Sequence, residues 1–204
     1  YDRKVIKADV KLFARAVRDR HFPPRPTIEI VVPTSRETPQ EYKRINLSEV
    51  LQSVIALTDH KLELQGIKLT KHLCSDPLWV RGDASRLEQS LLNLVFNAME
   101  AMPEGGEMKM VSDVDADHKK VRIEIHDTGS GIKAQHLNHI FDPFFTTKEA
   151  GRGTGLGLSI AYGIVKNHGG KIRAESQVGK GSTFCIQFPY LSVSSNGMEK
   201  NHDR

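Results

Sequence analysis

This sequence of 204 residues is short of cysteine, of charge excess and of long apolar runs. Its two cysteines, Cys74 and Cys185, match no metal spacing and offer no disulfide framework. Both are expected to be reduced packing residues of a cytosolic protein. No stretch approaches the roughly 20 apolar residues of a membrane-crossing helix. The charged start, Tyr1–Lys11, carries no signal-peptide pattern. Lysines and arginines number 29 against 25 acidic residues, a net charge of +4. So mild a surplus predicts a solvated surface, with no nucleic-acid partner and no membrane contact. Two familiar nucleotide fingerprints are also missing. There is no G-x-x-x-x-G-K-[ST] phosphate loop and no G-x-G-x-x-G behind a strand.

What is present predicts a soluble globular domain with extensions, since 38% of residues are hydrophobic and 26% charged. Apolar spacing predicts a helix over Val5–Arg20, stopped by the prolines of His21–Pro26. Thr27–Pro33 is a candidate strand and Thr34–Lys43 a polar linker. Asn46 or Ser48 can cap a helix that runs to about Leu64, with Val50, Leu51, Val54, Ile55 and Leu62 as its buried stripe. Ile67–Leu73 and Leu78–Val80 are strand candidates, and Asp83 or Ser85 caps a helix ending near Met102. Glu107–Val114 and Lys119–Asp127 alternate as an antiparallel pair around a polar loop. A helix over Leu156–Asn167 is closed by His168-Gly169-Gly170, and Lys171–Ser176 and Ser182–Tyr190 complete the strands. The division is an N-terminal helical segment at 1–26, a linker at 27–43, a main domain at 44–190 and a polar, disordered tail at 191–204. Elements that alternate in runs favour an α+β two-layer α/β sandwich, with a mixed, largely antiparallel sheet.

Four short blocks carry the chemistry. In the helix Arg86–Met102, one polar stripe of Gln89, Asn93, Asn97 and Glu100 breaks an otherwise apolar surface. Asparagine is a poor interior helix residue, so two on one stripe want a reason. Either the stripe faces solvent, or its amide oxygens meet a hard cation such as Mg²⁺. In Val121–Asp127 the period of two puts Asp127 on the apolar side with Val121, Ile123 and Ile125. A carboxylate there needs donors, unless it merely opens the turn Asp-Thr-Gly. Phe141–Lys148 crowds three phenylalanines beside Pro143, which suits an anchored loop end. Gly151, Gly153, Gly155 and Gly157 precede a helix whose first N–H groups suit phosphate, with Lys148 and Arg152 as cations in reach.

In this order, followed by Gly179–Phe184 (GKGSTF), the blocks resemble the ATP-binding catalytic domain of sensor histidine kinases. That domain belongs to the superfamily shared with gyrase, MutL-type and chaperone ATPases. LLNLVFNAMEAM is similar to the N box, DTGSGI to the first glycine box, FDPFF to the F box and GRGTGLGL to the second glycine box. The likeness covers roughly Ile45–Tyr190 and is nearest to nitrogen-regulation-type kinases, with Glu100-Ala101 where many others carry Lys-Tyr. It implies the Bergerat sandwich, with ATP and Mg²⁺ as cofactors. It further implies Asn97 as the metal ligand, and Asn93, Asn97 and Lys148 as catalytic residues. Nucleotide contacts are implied for Asp127, Gly129, Gly131, Ile132, Phe144, Lys148, Arg152, Gly153, Thr154, Gly155, Leu156, Gly157 and Thr183, with Asp127 on the adenine amino group and Thr183 supporting that side.

Hydrolysing relatives carry a Glu at the position of Asn93, and an amide cannot act as a general base. This favours phosphoryl transfer to a histidine over hydrolysis. None of the nine histidines lies in an H-[ED]-x-x-[NT]-P context, so the acceptor is expected elsewhere. Val10–Arg20 resembles the end of a dimerisation helix. The implied partners are a dimerisation and phosphoacceptor domain of the same kinase, which makes the intact protein a homodimer, and a cognate response regulator. The expected place is the cytoplasm, with or without a membrane anchor on the full-length protein. The alternatives are a Ser/Thr kinase of the same superfamily and a nucleotide-binding module that only regulates.

Overall fold

The computed structural model describes residues 42–115, 119–148 and 153–191. The expected helix at Val5–Arg20, the strand at Thr27–Pro33, most of the linker and nearly all of the tail lie outside the described residues, as do Gly151 and Arg152. The elements in chain order are β1 (Lys43–Asn46), α1 (Leu47–Leu64), β2 (Ile67–His72), β3 (Trp79–Gly82), α2 (Ala84–Ala101), β4 (Gly106–Asp115), β5 (Lys120–Asp127), α3 (Ala134–Leu137), α4 (Gly157–Asn167), β6 (Lys171–Gln177) and β7 (Gly181–Pro189). None of the described helices is long and apolar enough to cross a membrane.

Side-chain caps fix the helix starts. Asn46 accepts the N–H of Ser48 and also that of Leu78, both at 3.1 Å, so one carboxamide starts α1 and pins the approach to β3. Asp83 accepts the N–H of Arg86 and starts α2. α4 begins at Gly157 and ends in a Schellman motif, with Gly169 donating to the carbonyl of Lys166 and Gly170 to that of Val165. His168, expected to help close this helix, is a buried cap. Its Nδ1 donates to the carbonyl of Ile164 and its Nε2 accepts the N–H of Asp83, tying the end of α4 to the start of α2.

Five strands form the main sheet in the order β2-β4-β5-β7-β6. Only the β2–β4 pair is parallel, so the sheet is mixed and largely antiparallel, as expected. β1 and β3 pair separately as a short antiparallel ribbon. Alternation sorts the faces of the sheet. Met108 and Met110, then Val121, Ile123 and Ile125, then Phe184, Ile186 and Phe188, are buried beneath α1, α2 and α4. The opposite face carries charge, with Arg122 paired to Asp113 and Glu124, and His126 bridging Glu124 and Thr183. The result is the two-layer α/β sandwich. Its core ends where β5 reaches Asp127, and the site begins there.

Candidate functional site

A cavity of about 550 Å³ opens between α2, the loop after β5, and residues 140–148 and 153–158. It is lined by Asn93, Asn97, Glu100, Gly131, Ile132, Lys148, Gly153, Thr154, Gly155 and Gly157 among others. The asparagine stripe of α2 therefore faces the cavity, because Leu87, Leu91, Leu94, Val95 and Ala98 turn the opposite way into the core. Asn93 keeps a buried Nδ2 that has no hydrogen-bond partner among the described residues.

Asp127 lies just behind one wall. It is 5% exposed and sits among apolar neighbours, where the strand period puts it. Oδ1 accepts two backbone N–H groups, from Gly129 at 2.9 Å and Ser182 at 3.2 Å. Oδ2 is buried and has no hydrogen-bond partner among the described residues. Burial pushes the carboxyl above its ordinary value; the bonds from Gly129 and Ser182, and the neighbouring His126, pull the other way. Such a group is a preformed acceptor that wants one more donor. The loop around it is tied down on several sides. Ser130 donates to the carbonyl of Ala101, and Ile132 to the hydroxyl of Ser176 at 2.7 Å. Gly181 has φ +102, and an added Cβ would stand 1.8 Å from the carbonyl oxygen of Asp127. The two strand ends thus meet backbone to backbone, which only glycine allows.

The other wall, residues 144–148 and 153–157, covers the cavity like a lid and is latched at its base. Phe144 donates its N–H to the carbonyl of Gly155 at 2.9 Å, and a Cβ on Gly155 would lie 2.4 Å from the carbonyl carbon of Phe144. Phe144 itself has φ +66, an uncommon conformation for an aromatic residue. Lys148 is ion-paired with Glu100.

Several expected contacts fall elsewhere. Thr183 is not in the cavity. Asp127 pairs with Ser182 across β5 and β7, so Ser182 shares its face while Thr183 points to the opposite face and meets His126 at 2.9 Å. Phe144 is 62% exposed and does not line the cavity; Ile140 and Phe145 do. Leu156, the residue before α4, is replaced in the lining by Leu158. Gly129 contributes its N–H to Asp127 instead of lining the cavity. Ser130, Thr146, Thr147 and Ser182 line it without having been singled out.

The cavity can take an extended polar ligand that offers an amino group to Asp127 and anions to Lys148 and the start of α4. Among the described residues no cluster of three metal-ligating side chains exists. The donors present, neutral amides beside one carboxylate, fit Mg²⁺, which takes few protein oxygens and completes its shell with water and phosphate.

The profile of the histidine kinase-, DNA gyrase B-, and HSP90-like ATPase family matches residues 82–192. Sporulation kinase A of Bacillus subtilis is 38% identical over 145 residues, which is 71% of this chain and 23% of that protein. The catalytic domain of histidine kinase ThkA superposes with a TM-score of 0.65 at 37% identity, covering 74% of this chain and 96% of that one. Histidine kinase ThkA in complex with response regulator protein TrrA superposes with a TM-score of 0.64 at 29% identity, covering 92% of this chain and 50% of that one. The chain spans between 14% and 35% of the length of the curated relatives it matches.

Proposed function

The chain belongs to the histidine kinase-, DNA gyrase B-, and HSP90-like ATPase family, and from that premise we propose that it is the ATP-binding catalytic domain of a sensor histidine kinase. It binds ATP and passes the γ-phosphoryl group to a histidine on a dimerisation domain, leaving ADP. The observation that carries this reading is a pair of orphaned polar atoms at one cavity, the Oδ2 of Asp127 and the Nδ2 of Asn93. Each lacks a partner that a nucleotide can supply. An adenine amino group would satisfy Oδ2, and a guanine carbonyl would oppose it. Asn93 offers an amide N–H to phosphate and no base to activate water, which favours transfer over hydrolysis.

In this reading Asn97 holds Mg²⁺, with its oxygen on the cation. Bound there, the ion neutralises charge on the phosphates. The chain's own residues then orient the reactants. Gly131 and Ile132 bound the base, while Gly153, Thr154, Gly155 and the first N–H groups of α4 cradle the phosphates. Lys148 reaches the terminal phosphate, and Arg152 is a second candidate cation. Ser182, together with Gly129, takes over the supporting role first given to Thr183, since both hold Oδ1 of Asp127. The acceptor domain, a homodimeric intact kinase, a response-regulator partner and action in the cytoplasm all follow from the same reading. The named complex of a kinase relative with its response regulator supports the partner class.

Titration of the chain with Mg²⁺ and a non-hydrolysable ATP analogue tests the pocket. Asp127→Asn and Asn97→Ala should each weaken binding by about 10- to 100-fold. Wild-type affinity in both variants would sink the reading. Mixed with ATP and a phosphoacceptor domain, the chain should yield an acid-labile phosphoprotein. An acid-stable product would point to a Ser/Thr kinase, and none at all to a regulatory module.

A further inference from the structure

Two charged side chains line the cavity among the described residues, Glu100 and Lys148, and they are paired with each other. They are 48 positions apart in the sequence, one on the last turn of α2 and the other on the lid segment. Folding alone does not account for the pairing. Both side chains are substantially exposed, and exposed ion pairs add little to stability. Lys148 is also held at two further points. Its N–H donates to the hydroxyl of Thr146 at 3.2 Å. Its stem lies against the bare Cα of Gly153, where an added Cβ would come within 3.1 Å of the lysine Cδ and 2.8 Å of the Thr146 hydroxyl. The stem against Gly153 and the ammonium on Glu100 give the side chain a contact along its length and at its end.

We propose that Glu100 is a positioning residue: it holds the Lys148 ammonium at the cavity so that the cation is already placed for the terminal phosphate of a bound nucleotide. The proposal rests on the ATP reading above. An ammonium has three donors, so one can stay on Glu100 while two turn to phosphate oxygens. The order phosphate, ammonium, carboxylate also keeps Glu100 from repelling the triphosphate, because the positive charge stands between them. Ordering a free lysine on binding costs affinity, and a lysine ordered beforehand avoids that cost.

The test is calorimetric titration of the chain, in Mg²⁺, with AMPPNP and separately with ADP. Lys148→Ala should weaken AMPPNP by about tenfold and leave ADP within about twofold, since ADP lacks the terminal phosphate. Glu100→Ala should weaken AMPPNP by about three- to fivefold with the same indifference to ADP, and Glu100→Asp, which keeps the charge, should recover most of that loss. The Glu100→Ala/Lys148→Ala double variant should bind no more weakly than Lys148→Ala alone. Unchanged or tighter AMPPNP binding by Glu100→Ala would overturn the proposal, and so would losses that multiply in the double variant. Failure of the ATP reading itself looks different: wild type would bind neither AMPPNP nor ADP.

Discussion

The two walls of the cavity are built by different physics. The strand wall, from Asp127 through Gly131 with Ser182, is made of hydrogen-bonded backbone and one buried carboxylate whose ties are backbone N–H groups. The lid wall, residues 144–148 and 153–157, is made of a backbone latch and an exposed ion pair with Glu100. Folding must complete the first wall before any ligand arrives, because its groups are also where β5 ends and β7 begins. The second wall adds little to the core. Changes to the backbone of the strand wall should therefore register as stability and binding together, and changes in the lid wall chiefly as binding.

The sharpest way to break this contrast is Gly181→Ala. The new Cβ would stand 1.8 Å from the carbonyl oxygen of Asp127, at a φ of +102 that a side chain rarely adopts. Backbone faces it, so no rotamer change relieves the clash. A loss of about 3 kcal/mol or more in denaturant unfolding is expected, with nucleotide affinity falling too. A variant that folds and binds like wild type would mean that the strand ends tolerate separation.

Asp127→Asn should separate binding from folding within the same wall. Adenine-nucleotide affinity is expected to fall on the order of 100-fold, because an amide donor then faces the amino group. Folding should not suffer, since a costly buried charge is removed. The pH dependence gives the sign. The carboxyl titrates above its ordinary 3.8 in the folded protein, so the folded state binds more protons than the unfolded one between those two values. Its contribution to stability therefore declines as pH rises through that window, and the full cost remains above it. The unfolding free energy of Asp127→Asn, measured against pH without ligand, should lack that decline. A wild-type decline that persists unchanged in the variant would assign it to another group.

Much of the strand wall was legible in the sequence, and little of the lid wall's pairing. The inward position of Asp127 follows from the alternation of Val121, Ile123 and Ile125. The same arithmetic on Phe184, Ile186 and Phe188 points Ser182 inward and Thr183 outward. The motif sets Thr183 beside the nucleotide, whereas the period of two turns it to the face that carries His126. The polar stripe of α2 gave the direction of Asn93 and Asn97 in the same way. The pairing of Glu100 with Lys148 left no periodic trace, since neither residue's neighbours encode a contact between a helix end and a distant loop. Nothing in the sequence signals that Phe144 takes a positive φ and stands exposed while Phe145 lines the cavity. α3, at four residues, is too short to show a helical repeat.

The smallest expected effects belong to the lid wall and sharpen the contrast from that side. Lys148→Ala removes an exposed pair and should change the unfolding free energy by less than about 1 kcal/mol. Gly157→Ala goes further, because nothing lies within 4 Å of the Cβ it would add at the first position of α4. Alanine in a helix restricts the unfolded chain and favours the helix, so a gain of about 0.5 kcal/mol is expected without ligand. Packing in the empty protein thus gives no reason for glycine there. A close approach by phosphate would, and the added methyl should then weaken AMPPNP by several-fold while the melting temperature rises slightly. Unfolding curves and titrations of the one variant decide it: a gain in stability with unchanged affinity would mean that the lid wall owes nothing to the ligand at this position.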